Sequence, residues 1–224
     1  MTRETTTPLM TQYREIKSRH QHAILFFRMG DFYEMFYEDA ELASRALGLT
    51  LTSRNNGGAA EVPLAGVPVR AAAEYVRRLV QQGHRVAICD QVEDPKLAKG
   101  IVRREVIETV TPGATYTEDL LDGGRNNFLC AIQVVRGLAA IAAADISTGE
   151  FRLITVREGD ANAALSRLSP REVVVCANQA EAETLARGLD VLITEREGWE
   201  FEGVYAAEVL AEHFGVRSLD GLGV

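Results

Sequence analysis

The sequence predicts a mixed α/β chain folded as two domains, and three observations carry that reading. From residue 8 onward, apolar stretches with helical spacing alternate with short β-branched and aromatic runs. A polar segment ending in Gly-Gly, ATYTEDLLDGGRNN (114–127), interrupts the alternation near mid-chain. Charge is shared unevenly: residues 1–104 hold 15 basic against 12 acidic side chains, whereas residues 105–224 hold 9 against 20. Length agrees, because 224 residues at roughly 150 per domain lie between one domain and two. The predicted boundaries are a first domain over 1–113, a linker over 114–127 and a second domain over 128–224.

The elements follow in order. Leu9, Tyr13 and Ile16 form one helical stripe over 8–20, with Thr7 and Pro8 as cap and first-turn pair. AILFFRMGDFYEMF (23–36) reads as two strands joined at Gly30-Asp31. A helix over 38–47 ends at Gly48, and LTLTSR (49–54) is a short strand. After the NNGG loop, Pro63 and Pro68 keep the chain extended, and 71–82 is a helix ended by Gly83. Strands over 84–94 and 102–113 flank a basic loop. Past the linker, three strand-like runs separated by Arg136-Gly137 and Ser147-Thr148-Gly149 predict an antiparallel meander. Helix and strand then alternate over 161–168, 173–177, 181–189, 191–196 and 204–214, giving a mixed sheet flanked by helices.

Composition excludes several classes. With 46% hydrophobic and 25% charged residues, the chain is neither disordered nor fibrous. The polar N-terminus has no signal-peptide core, and the longest apolar run, 137–144, is too short to span a bilayer. Cys89, Cys130 and Cys176 sit in apolar contexts without paired spacing, the pattern of reduced core thiols in a cytoplasmic protein. The net charge of +3 on the first half and −11 on the second assigns any polyanionic partner to the first. The chain stops at SLDGLGV directly after a helix, so a piece of a longer protein is expected.

Few residues could carry catalysis. No Gly-Lys pair exists, so there is no phosphate-cradling Walker loop, and the four histidines lack zinc spacing. Asp145, in AAADISTGEF, stands where a ribonuclease-H-like nuclease places a metal ligand; it also suits a cap for the turn at 147–149. Two-metal chemistry needs further convergent acids, and only Glu150 lies near in sequence. The other distinctive stretch is FFRMGDFYEMF. Strand alternation places Phe32 and Glu34 on one face and Tyr33 on the other. An aromatic beside a carboxylate is awkward as pure core, because the acid needs a partner or solvent, and it suits a wedge inserted into a nucleic-acid groove; spacing alone leaves the core reading open, the ordinary place of an aromatic on a strand.

The blocks FFRMGDFYEMFYEDAELASRALGLTLTSR, VPLAGVP, VAICDQVEDP and VTPGA, in that order, closely resemble the N-terminal part of the bacterial MutS family of DNA mismatch-repair proteins, over essentially the whole chain. The resemblance implies a mixed α/β mismatch-recognition domain, then a connector domain with a ribonuclease-H-like fold. It implies a DNA-binding role toward mispairs and small loops in duplex DNA, with no catalytic or metal-binding residue in this chain. Phe32 matches the aromatic that wedges beside the mispaired base, and Glu34 the glutamate that hydrogen-bonds it. Arg54 matches a position near DNA, and Arg54, Arg70, Lys96, Lys99, Arg103 and Arg104 are candidate phosphate contacts. Two departures stand out: Val69-Arg70 replaces an aromatic and a histidine, and Glu108 stands where arginine is common. The first adds a possible cationic contact; the second excludes Glu108 from DNA. ATP and Mg are expected only of an ATPase domain beyond Val224. A MutL-type protein on the connector, a homodimer and a nucleoid-associated, cytoplasmic location are further implications. Relatives that serve recombination or ribosome rescue usually lack the Phe-x-Glu pair, and the remaining alternative is a metal-dependent nuclease using Asp145.

Overall fold

Two sheets organise the chain, one in each of two compact units, Met1–Leu120 and Leu121–Val224. The computed structural model describes residues 7–54, 61–94, 97–115 and 124–220. Most of the expected linker, 116–123, lies outside them.

In the first unit the chain runs α1 (Pro8–Arg19), β1 (Ile24–Met29), β2 (Phe32–Phe36), α2 (Tyr37–Leu47), β3 (Thr52–Arg54), β4 (Val62–Pro68), α3 (Ala72–Gln81), β5 (Val86–Gln91) and β6 (Arg104–Val110). The sheet order is β3-β4-β2-β1-β5-β6, with β1 and β5 parallel and the other pairs antiparallel. Thr7 caps α1 by accepting from the Met10 N–H, and Pro8 fills the first turn, where a missing N–H costs nothing. Gly48 ends α2 at φ +71, a left-handed conformation that favours glycine. This cap also shortens the next strand. The expected 49–54 strand begins only at Thr52, because the Leu49 N–H turns back to Ser44 O and the Ser44 hydroxyl donates to Leu49 O.

Alternation divides the side chains. Phe26, Tyr33, Met35 and Val67 pack under α2 and α3 on one face. Leu25, Phe27, Phe36 and Val62 meet Met10, Tyr13 and Ile16 of α1 on the other. Asp39 joins these layers as a buried carboxylate. It accepts from the Leu25 N–H (3.0 Å), the Tyr13 hydroxyl (3.4 Å) and the Lys17 ammonium (2.8 Å), tying α1, β1 and α2 together. Burial first, then the Asp39 charge, raises the Tyr13 hydroxyl far above an ordinary phenol, so it remains a donor.

The second unit runs β7 (Phe128–Val135), β8 (Leu138–Asp145), β9 (Glu150–Arg157), α4 (Ala161–Leu168), β10 (Glu172–Cys176), α5 (Ala180–Arg187), β11 (Leu192–Arg196) and α6 (Gly203–Phe214). β7, β8 and β9 form the expected antiparallel meander, and β10 and β11 add in parallel beyond β7, giving β11-β10-β7-β8-β9. This is a ribonuclease-H-like mixed sheet, covered on one face by Ala161, Leu165, Leu168, Ala182 and Ala186 of α4 and α5. Arg136 and Gly137 both have positive φ, the two-residue turn that suits the twist of a hairpin. Cys89 and Cys130 are buried free thiols, as their contexts predicted, and burial pushes them up to about 12 and about 11. Among the described residues, no helix is long and apolar enough to cross a membrane.

Asp39→Ala leaves the Leu25 N–H and the Lys17 ammonium without this acceptor. We expect it to cost the first unit about 3 kcal/mol, read as a lowered urea midpoint in far-UV circular dichroism. An unchanged midpoint would remove Asp39 from that role.

Candidate nucleic-acid interface

Phe32 opens β2 immediately after the Gly30-Asp31 turn, and the residue is 47% exposed despite a central place in the sheet. Its cross-strand neighbours are Met29 on β1 and Pro68 on β4; Glu34, two residues on, faces Phe27 and Gly66. The outward aim of this pair is set from the other face. Tyr33 is 6% exposed, and its hydroxyl donates to Asp90 of β5 at 2.7 Å. Arg28 completes the brace, reaching Asp90 at 3.3 Å and lying over the Tyr33 ring at 5.5 Å. Burial, then the bond to Asp90, raises the Tyr33 hydroxyl above an ordinary phenol, which keeps it a donor. Helix α1 covers the Phe36 end of the Phe32 face, whereas Phe32 and Glu34 border an open groove with Leu64, Gly66 and Thr52.

Register decides which basic residues share this end of the sheet. Pro68 pairs with Phe32, the Val69 N–H donates to Asp31 O, and exposed Arg70 follows at once. The loop from β5 to β6 leaves the sheet at the same end, because Gln91 pairs with Arg104 and the Arg104 guanidinium reaches Arg28 O at 2.7 Å. Lys99 and Arg103 on that loop are exposed. The Arg103 side chain makes an exposed pair with Glu105 at 3.6 Å, a contact of little energetic weight. Lys96 lies outside the described residues.

Arg104 and Arg54 do not join them. Arg104 is 7% exposed; its guanidinium also donates to Gln12 and Val102 O and lies 5.0 Å from the Phe27 ring centroid. A guanidinium so committed is not free to meet phosphate. Arg104 therefore leaves the phosphate-facing set and takes a bracing role instead, with its guanidinium against Met29, the neighbour of Phe32. Arg54 ends β3 opposite Val62, six residues along β4 from the Phe32 row. That is about 20 Å at strand rise. Glu108 lies among Tyr33, Ile88 and Ala73 beside α3, on the face opposite Phe32. Gly66 and Met29 went unnoticed in the sequence, although a glycine inside the VPLAGVP run was a visible signal.

Two family models match this chain. MutS domain I matches residues 7–119 and MutS domain II matches residues 127–224. The chain belongs to the MutS family. Curated MutS relatives named DNA mismatch repair protein MutS include that of Chlorobaculum parvum, 44% identical over 223 residues, and that of Chlorobaculum tepidum, 46% identical over 225. A third, from Desulfatibacillum aliphaticivorans, is 48% identical over 223 residues. Each alignment covers 97% of this chain, but the chain spans only about a quarter of each relative, 25–26%. In MutS terms, Phe32 and Glu34 fall in domain I, and Asp145 falls in domain II.

The geometry around Asp145 answers the nuclease alternative. Asp145 is 1% exposed and both its oxygens are occupied: Oδ1 within its own turn, by the Ser147 N–H (3.0 Å) and hydroxyl (2.6 Å), and Oδ2 by the Asn127 N–H (3.0 Å) just before β7. Glu150 instead faces Asn126 and Arg152. Among the described residues, no three His, Cys, Asp or Glu side chains converge on a site for a metal. Asp145 is a turn cap. Burial works to raise its carboxyl, but the hydrogen bonds from Ser147, Asn127 and Thr148 outweigh it and hold the group below its ordinary value.

A depressed carboxyl contributes stability above its unfolded pKa of about 3.9 and loses it as pH falls through the folded value. Asp145→Asn should therefore cost about 1.5–3 kcal/mol near neutrality, with the gap to the unmutated protein closing below about pH 4. Trp199, the single tryptophan, lies in this unit and reports its unfolding in denaturant. A gap independent of pH would contradict the turn-cap assignment.

Proposed function

We propose that this chain recognises mispaired or unpaired bases in duplex DNA, with Phe32 as the probe of the base stack. The observation that carries the reading is an aromatic residue left 47% exposed beside a carboxylate on a central strand, where burial is the ordinary fate of a phenyl group. Membership of a family whose relatives are named for DNA mismatch repair gives it context.

Many different mispairs cannot be read by one base code, so the readout is deformability. A mispaired step is poorly stacked and costs less to kink than a matched one. Bending a site by a large angle costs about 1–6 kcal/mol, and each unstacked step a few more. A mispair that lowers this total by about 1.4 kcal/mol yields about tenfold preference. Phe32 supplies the wedge. Glu34, repelled by phosphates, becomes favourable only where it meets a base edge, so it penalises placement on matched DNA. Arg70, Lys99 and Arg103 position the duplex through its backbone, with Lys96 a further candidate and Arg54 in reach only of a duplex that runs the length of β4.

The connector half, with its acidic balance, takes the protein partner, a MutL-type chain, and homodimer formation belongs to the same reading. ATP and Mg are assigned elsewhere, since a chain without a Gly-Lys pair has no loop to cradle phosphates.

The test is a fluorescence-anisotropy titration at fixed salt, using the native polypeptide that carries residues 1–224, a G·T duplex and its matched twin. Phe32→Ala should reduce the two affinities to one value set by backbone contacts. Glu34→Gln should keep or raise affinity for the matched duplex and narrow the ratio. Wild-type preference in Phe32→Ala, or weaker matched binding in Glu34→Gln, would refute these roles.

A further inference from the structure

Gly66 faces Glu34 across the β2–β4 pair, in the interior of a seven-residue strand. Glycine there weakens a strand, because it has maximal freedom to lose and no side chain to pack. Three reasons could oblige it, and two are absent. Its backbone is extended, outside the left-handed region that favours glycine. No neighbour excludes a Cβ either: one at 66 would lie 3.6 Å from Tyr33 O, 3.8 Å from Glu34 Cγ and 3.9 Å from Phe32 Cδ1, all ordinary contacts. The third reason is that something outside the fold approaches closely.

The same distances say where that approach occurs. The two side chains nearest a Cβ at 66 would be Phe32 and Glu34, the pair assigned to the DNA. Gly66 is exposed and lines the groove with Phe32, Glu34, Leu64 and Thr52. Cross-strand side chains at opposed positions stand about 5 Å apart, so any branched side chain at 66 would occupy the space directly beside the Glu34 carboxylate.

We infer that Gly66 is a specificity-determining position: its missing side chain holds open the space through which a displaced base edge reaches Glu34 while Phe32 occupies the step. This rests on the recognition reading above and adds to it a residue that touches neither base stack nor phosphate through a side chain. It separates two properties that a structural glycine would keep together. Filling position 66 strengthens the strand and closes the base site. Backbone binding to matched DNA uses the basic residues at the sheet end and is left alone.

The experiment compares Gly66→Ala and Gly66→Val with the unmutated native polypeptide and with Phe32→Ala, using G·T and matched duplexes. Melting temperature is recorded for each protein. Gly66→Val should melt at or above the unmutated protein and bind matched DNA within about twofold of it. Its mispair preference should fall from about tenfold to under about twofold. Gly66→Ala, whose added methyl makes only ordinary contacts, should fold and lie between. A folded valine variant with full preference overturns the inference. So does an alanine variant that loses preference only in step with its melting temperature, since the fold itself would then need the glycine. Should valine prevent folding, a folded alanine variant with undiminished preference is the overturning result. The underlying recognition reading fails separately, by equal binding of both duplexes to the unmutated protein or by full preference in Phe32→Ala.

Discussion

The bond between the Tyr33 hydroxyl and Asp90 fixes which way β2 faces, and the rest of the candidate site follows from it. A strand has a period of two, so anchoring the middle residue of Phe32-Tyr33-Glu34 to the interior commits its two neighbours to the opposite face. Arg28 strengthens the anchor from β1, and Asp90 reaches it from β5, so three adjacent strands agree on one orientation. Slippage by one residue would bury Phe32 and expose Tyr33, leaving Asp90 and Arg28 without their partner. The fold thus exposes a phenyl ring on a central strand by satisfying a phenol behind it.

The opposite face is arranged to leave that ring uncovered. Asp39 draws α1 toward the Phe36 end, where Lys17 and Tyr13 share its carboxylate. Arg104 fills the space between α1 and Met29. Each is a charged group held in the interior with several partners, which is the condition under which burial of charge is tolerated. Together they frame an open patch, so that the exposed Phe32 side chain is carried by the sheet rather than by a loop.

Much of this was legible in the sequence, for identifiable reasons. The hairpin, α1, α2 and the meander rest on local signals: a Gly-Asp turn, a Thr-Pro start, glycine at a helix end, and apolar runs broken by two or three polar residues. The orientation of Phe32 and Glu34 needed only alternation. What the sequence could not give was register between distant strands. Arg54, Arg70 and Arg103 look equivalent as basic residues near apolar runs, yet pairing places the last two at the Phe32 end and the first at the far end of β4. Arg104 follows Arg103 in the chain and differs from it completely, because strand alternation turns one outward and the other onto Phe27. Gly66 was readable as a glycine in a strand, but its significance depends on facing Glu34, a contact 32 residues apart in sequence.

Entry of Phe32 into the stack at a mispaired step is reported directly by 2-aminopurine placed beside a G·T pair, since its fluorescence rises when it unstacks. Binding of the unmutated protein should raise the signal on the mispaired duplex and leave the matched duplex quenched, and Phe32→Ala at saturating concentration should abolish the rise. An equal rise with Phe32→Ala, or on the matched duplex, would contradict the account.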